Sequence, residues 1–292
     1  MTALDVVLAD IVNDLAASLD KTTGTWTPSW RTGSWLPTNF TTDVAYRGMN
    51  TLLLWSGAIK HGYSTQWWAT YKQWQSIGGQ VRKGEHATKC IKWVPLQPGD
   101  NPEHMDRGAR LVPRVFAVFN LAQQDGVEAA SPSVDRGHSL VAFEEAFDQI
   151  PITYGPGEPA YVPALDTVLM PNITAFTTPE QWAATLAHEA AHWTGHKSRL
   201  ARPEFTKWGD DAYAGEELVA EISASLTCAH FGITDTTTRL DHLRYIKHWL
   251  ARLQSDPKLL LPAATAAQRA TDHLLSYSKV ELCSEQTSTT TS

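Results

Sequence analysis

Residues 177–196 read TTPEQWAATLAHEAAHWTGH, and this stretch decides what the second half of the chain is. Thr178 suits an N-cap, Pro179 the first helical position and Gln181 the third residue of a capping box, so a helix starts here. Gly195 suits its C-terminal stop. His188 and His192 stand four apart, so their rings leave one face of that helix and can share a metal ion. Glu189, next to His188, can reach a water on that ion. Two imidazoles and one further acid leave a fourth position open, which is the catalytic form of a zinc site. With 11 His and 14 Glu in 292 residues, chance supplies about 0.02 matches to His-Glu-x-x-His. A solvent-facing helix that carries two histidines by accident is the weaker alternative.

The third ligand has to come from elsewhere. Gly195 sits where a metzincin has its glycine, but Ser198 stands where that pattern needs a third His, and His196 is out of register. Downstream, GEELVAEISASL (215–226) has Leu218, Ile222 and Leu226 at helical spacing, which gives it a packing face. Glu217 and Glu221 are four apart on one side of it. This resembles the gluzincin arrangement, in which a second helix supplies a ligand Glu and, four residues on, an acid that orients a ligand His. On that resemblance Glu217 is the third ligand and Glu221 the orienting partner, with Glu221 and then Glu216 as alternatives for the ligand. Each could instead be a solvated carboxylate at a helix start. Tyr213 is an oxyanion donor by the same analogy, or a buried structural tyrosine. Residues 160–170 (AYVPALDTVLM) could supply the edge strand on which a peptide lies. Asp166 on that segment receives no role.

The chain is long enough for two domains of ordinary size. Apolar residues at 42% and charged residues at 19% exclude a disordered chain. No apolar run approaches the roughly 20 residues that cross a bilayer, which excludes a membrane-spanning helix. The first 20 residues carry four Asp and no Lys or Arg, the reverse of a targeting peptide. Cys90, Cys228 and Cys283 form neither a disulfide framework nor a CxxC site, so the expected setting is reducing and cytoplasmic.

Net charge is −7, yet it is divided unevenly. Residues 21–114 hold 12 Lys/Arg against 5 Asp/Glu, and residues 126–292 hold 12 against 21. Eight of the 12 Trp precede residue 94. Single-strand binders combine cations for the backbone with rings for base stacking. The candidates here are Trp26, Arg31, Arg47, Trp67, Trp68, Tyr71, Lys72, Arg82, Lys83, Lys89 and Lys92, although half or more of the Trp are expected in the core. GGQVRKGEHATKCIKW (78–93) reads as a basic hairpin with Arg82 and Lys83 at its tip and Lys89 and Lys92 on the following strand.

Periodicity predicts helices at 4–19, 49–60, 65–76 and 139–149, and strands at 88–95 and 111–121. Short strands follow near 151–154, 160–163 and 166–170, then three or four helices to about 280. The expected fold class is α+β, divided into a basic α+β domain (1–125), a linker (126–138), a mostly helical domain with a small antiparallel sheet (139–283) and a disordered tail (284–292).

The order of motifs resembles the ArdC-type antirestriction proteins of conjugative plasmids. The resemblance is carried by AYRGMNTLLLW (45–55), WATYKQWQSIGGQVRKGEHATKCIKW (68–93), RVFAVFNLAQQDG (114–126), HEAAHWTGHKSRL (188–200) and YAGEELVAEISA (213–224). It implies an N-terminal single-stranded-DNA-binding domain followed by a zincin-like metallopeptidase domain. It also implies a divalent metal, zinc first and manganese or another ion as alternatives, at His188, His192 and a downstream Glu. The implied function is protection of incoming plasmid DNA, by cleaving a protein such as a restriction-system component. The alternative is a DNA-binding protector whose metal site is structural or proteolytically silent.

Overall fold

A computed structural model describes residues 2–20, 35–96, 111–129, 136–202, 211–234 and 250–277. The first half runs α1 (Ala3–Asp20), β1 (Thr38–Asn39), β2 (Val44–Ala45), α2 (Met49–His61), β3 (Trp67–Ala69), α3 (Tyr71–Ser76), β4 (Gln80–Val81), β5 (Thr88–Pro95), β6 (Leu111–Asn120) and β7 (Gln124–Asp125). The second half runs α4 (Arg136–Phe147), β8 (Ile152–Tyr154), β9 (Ala160–Val162), β10 (Thr167–Met170), α5 (Pro179–Thr194), α6 (Asp211–His230), a helical segment at 250–255 and α7 (Leu260–Leu275). The outcome is an α+β fold, as expected. The proposed tail at 284–292 and residues 130–135 of the proposed linker lie outside the described residues, and residues 136–138 of that linker belong to α4.

Local chemistry explains several element ends. Gly62 closes α2 in the left-handed conformation (φ 71°), which a residue with a Cβ resists. The predicted helix at 65–76 splits, because Trp67–Ala69 pairs as a strand with β1 and β6 before Thr70 caps α3 in a capping box with Gln73. β5 and β6 pair antiparallel over their full overlap, in a five-stranded sheet ordered β2-β1-β3-β6-β5. The basic hairpin does not form. β4 pairs with β7, not β5, and Arg82 braces the 82–87 turn by bonding Glu85, Asp125 and the carbonyl of Ala122. The second half's small sheet, ordered β8-β10-β9, is mixed and not antiparallel: β9 runs antiparallel to β10, whereas β8 runs parallel to it.

The largest hydrophobic core is built by both halves together. Leu8, Ile11 and Leu15 of α1 and Leu52 and Trp55 of α2 pack with Ile222 and Leu226 of α6 and Leu260 and Ala264 of α7. Polar contacts follow the same seam: Arg47 pairs with Asp272, and the Gly48 amide donates to Gln268 at 2.8 Å. A second core joins Phe143 and Phe147 of α4, Val168 and Met170 of β10, and the inner faces of α5 and α6. Among the described residues no helix is long and apolar enough to cross a membrane.

Leu52 is fully buried in the shared core. Leu52→Ala should cost about 2–5 kcal/mol of stability. It should also lower hydrogen-exchange protection in α6 and α7, and unchanged exchange there would show that the halves are energetically independent.

Candidate metal centre

Helix α5 begins as its sequence dictates. Thr178 Oγ1 accepts the Gln181 amide at 3.1 Å with Pro179 at the first position, although the Gln181 side chain reaches back to the Thr177 amide and not to that of Thr178. Alanines 183, 184, 187, 190 and 191 are all buried. With so little side-chain bulk, α6 can pack close enough for its carboxylates to reach the α5 histidines.

The two helices converge on a buried polar cluster. His188 Nε2 and His192 Nε2 face each other at 3.2 Å. Glu217 Oε2 lies 3.5 Å from His188 Nε2, and its other oxygen, Oε1, lies 3.5 Å from His192 Nε2. Tetrahedral coordination at the usual zinc–ligand lengths of 2.0–2.1 Å places donors about 3.3 Å apart. One donor atom from each of the three side chains lies within 4.8 Å of the other two, so together they form a group that could hold a divalent ion. The other ring nitrogens face carboxylates: His188 Nδ1 lies 3.5 Å from Glu221 and His192 Nδ1 lies 3.3 Å from Glu216. Such partners fix a ligand histidine's tautomer and orientation.

Charge in the cluster also calls for a cation. Burial pushes the His192 imidazole down, but the carboxylates of Glu217, Glu216 and Glu189 together outweigh it and raise it to about 9. Burial pushes Glu216 up, but hydrogen bonds from His192 and Arg202 hold it below the ordinary carboxylate range. Arg202 grips Glu216 through Nε at 2.8 Å and a terminal nitrogen at 2.6 Å, and it also bonds Thr194 Oγ1 and the Ala191 carbonyl. Gly195 makes room for it, since a Cβ there would lie 2.9 Å from the guanidinium. Sequence alone makes Glu216 a minor alternative and does not single out Arg202. Glu216 adjoining Glu217 is a usable signal, but nothing local to Arg202 marks it.

Glu189 is buried beside the histidines, and one of its oxygens accepts the backbone N–H of Tyr161 at 3.0 Å. That bond brings the outer edge of β9 against the site. Asp166 now acquires a role. Held at φ 48°, it accepts the Tyr161 hydroxyl at 2.9 Å and a pair of bonds from Arg199. Arg199 also bonds the Trp193 carbonyl at the end of α5, so the β9–β10 turn is tied to the helix that carries the histidines. Tyr213 lies in the first turn of α6, and its side chain is outside the described ones.

The residues proposed for DNA fare unevenly. Trp26 and Arg31 lie outside the described residues. Trp68 is fully buried in the core beneath α2 and has no face to offer a base, which corrects its assignment. Trp67 is half-buried, edge-on to Phe40. Arg47 is exposed but paired with Asp272, and Arg82 serves its turn. Tyr71, Lys72, Lys83, Lys89 and Lys92 are exposed. Trp93, one of the eight early tryptophans but not among the candidates chosen from sequence, is 52% exposed on β5 beside Lys92.

Known proteins resemble this chain over both of its halves. Residues 6–122 match the family described as the N-terminal domain of anti-restriction factor ArdC, and residues 142–266 match the zincin-like metallopeptidase family. The chain is 36% identical over 247 residues to the uncharacterised protein y4eC of Sinorhizobium fredii, covering 81% of this chain and 80% of that one. It is 31% identical over 303 residues to DNA primase TraC of Escherichia coli, which spans 95% of this chain but only 20% of the primase. The crystal structure of metal-free ArdC from plasmid R388 shares 34% identity and a TM-score of 0.73, covering 93% of this chain and 97% of that one. Its Mn(II)-bound form shares 33% identity and the same TM-score, covering 93% and 98%. With the two domains in their order and nearly the whole of a solved relative covered, the chain belongs to the ArdC-type antirestriction proteins.

Proposed function

We propose that this chain protects incoming plasmid DNA from restriction in the cytoplasm by binding single-stranded DNA through its first half and cleaving a protein with a metal-dependent peptidase site in its second. The observation that carries the peptidase reading is the convergence of His188, His192 and Glu217 at ligand spacing with Glu189 beside them. These three would hold one divalent ion, with zinc first in line by donor chemistry. The R388 relative has a Mn(II)-bound structure, which supports a divalent ion here.

A divalent ion held there lowers the pKa of a water and polarises a substrate carbonyl. The chain's own residues do the rest. Glu189, steadied by the Tyr161 amide, takes the proton of the attacking water and passes it to the departing amine. Glu221 and Glu216 hold the two imidazoles in orientation, and Arg202 keeps Glu216 charged and in place. A peptide extends along the outer edge of β9 by strand addition, which brings its carbonyl to Glu189. Tyr213 remains the proposed oxyanion donor. The exposed Lys72, Lys83, Lys89 and Lys92, with Tyr71 and Trp93, supply the cations and rings that a single strand needs.

Purified protein should contain about one divalent ion per chain, and His188→Ala or His192→Ala should lose it in elemental analysis. Glu189→Gln should keep the metal and DNA binding while lowering peptide hydrolysis by about 10²–10⁴-fold. If that variant still protects plasmids fully, protection runs through DNA occupancy and the metal site is proteolytically silent. In gel shifts, single-stranded DNA should bind more tightly than duplex. Replacing Lys83, Lys89 and Lys92 with Ala should flatten the salt dependence, by about 0.7 in log–log slope for each phosphate that no longer meets a cation.

A further inference from the structure

The far edge of the small sheet carries a second binding feature. A cavity of about 460 Å³ opens between α4, β8 and α5, within the size range of ligand sites. Its floor is apolar, formed by Phe147, Ile150, Leu186 and Trp182. Glu144 of α4 and Asp148 just past its end stand exposed on the rim, and no lining residue among the described ones is Lys or Arg. The Tyr154 hydroxyl registers that charge: burial pushes its pKa up, and Glu144 and Asp148 push it further. The Trp182 indole N–H finds no acceptor among the described residues, although the ring is only 4% exposed.

The open edge of β8 borders this cavity. β8 pairs with β10 alone among the described strands. The Val168 amide bonds the Pro151 carbonyl, and the Gly155 amide bonds the Met170 carbonyl. In a parallel ladder this turns the peptide groups of residues 151, 153 and 155 inward and leaves those of Ile152 and Tyr154 on the outside. The side chains of Ile152 and Tyr154 line the cavity. Unpaired backbone groups, an apolar floor and an acidic rim thus meet in one groove, and β10 separates it from β9 and the metal centre.

We propose that this groove binds an extended peptide of a partner protein, with an apolar and a basic side chain two residues apart and so on one face, as an added strand on β8. The peptide's backbone pairs with Ile152 and Tyr154, an apolar side chain fills the cavity, and a basic side chain meets Glu144 and Asp148. An anionic or wholly apolar ligand would leave the two carboxylates without a partner. The groove lies apart from Glu189 and serves recognition, so this inference stands or falls independently of peptidase chemistry.

The test is fluorescence anisotropy with a fluorescein-labelled Lys-Thr-Val-Thr-Arg peptide, whose Lys, Val and Arg share one face, and the full chain, in EDTA so that hydrolysis cannot intervene. The peptide should bind at micromolar concentration, and Glu-Thr-Val-Thr-Glu should not. Glu144→Lys combined with Asp148→Lys changes only exposed side chains; it should weaken binding about tenfold or more while leaving single-stranded-DNA gel shifts unchanged. Methylating alternate backbone nitrogens of the peptide should weaken it comparably. Equal affinity for the charge-reversed variant, the acidic peptide or the methylated peptide would overturn the proposal. So would chains that dimerise through this face and take up no peptide.

Discussion

Two imidazoles can face three carboxylates in a largely buried cluster only where the helices that carry them nearly touch. In α5 that closeness is written as alanine. The cost of burying so many ionisable groups is met inside the cluster: each His ring nitrogen faces a carboxylate or its sister ring, and Arg202 neutralises Glu216. Gly195 belongs to the same device, because its missing Cβ is what admits the guanidinium.

The helix pair also fixes its surroundings. Arg199 leaves the end of α5 to hold Asp166, Asp166 holds Tyr161, and the Tyr161 amide holds Glu189. A strand edge, a turn and the Glu189 carboxylate are thereby registered against one another by a chain of four residues. A left-handed aspartate at that turn is an unfavourable conformation for a residue with a side chain, and the paired bonds from Arg199 offset it.

Much of this was legible in the sequence because it is local. The cap at Thr178, the spacing of His188 and His192 and the four-residue step from Glu217 to Glu221 are all readable within one or two helical turns. What escaped depends on distance along the chain. Nothing near Arg202 says that its guanidinium will reach Glu216, and nothing near Asp166 points to Arg199. Trp68 and Trp93 both lie in the basic, Trp-rich stretch, yet one fills the core and the other faces solvent, because strand pairing decides which face each occupies. The parallel run of β8 and the pairing of β4 with β7 escaped for the same reason: partners in a sheet are chosen by the whole fold, not by the turn between neighbours.

Because α1 and α2 lie against α6 and α7, the seam between the halves is greasy on both sides. Excising either half as a stand-alone module would strip its helices to water and invite clumping. The alignment with TraC runs across almost the whole chain as one block inside a far longer polypeptide. A transplantable cassette of this kind has to move intact, and a gene fusion that borrowed only its front or its rear would inherit half an interior.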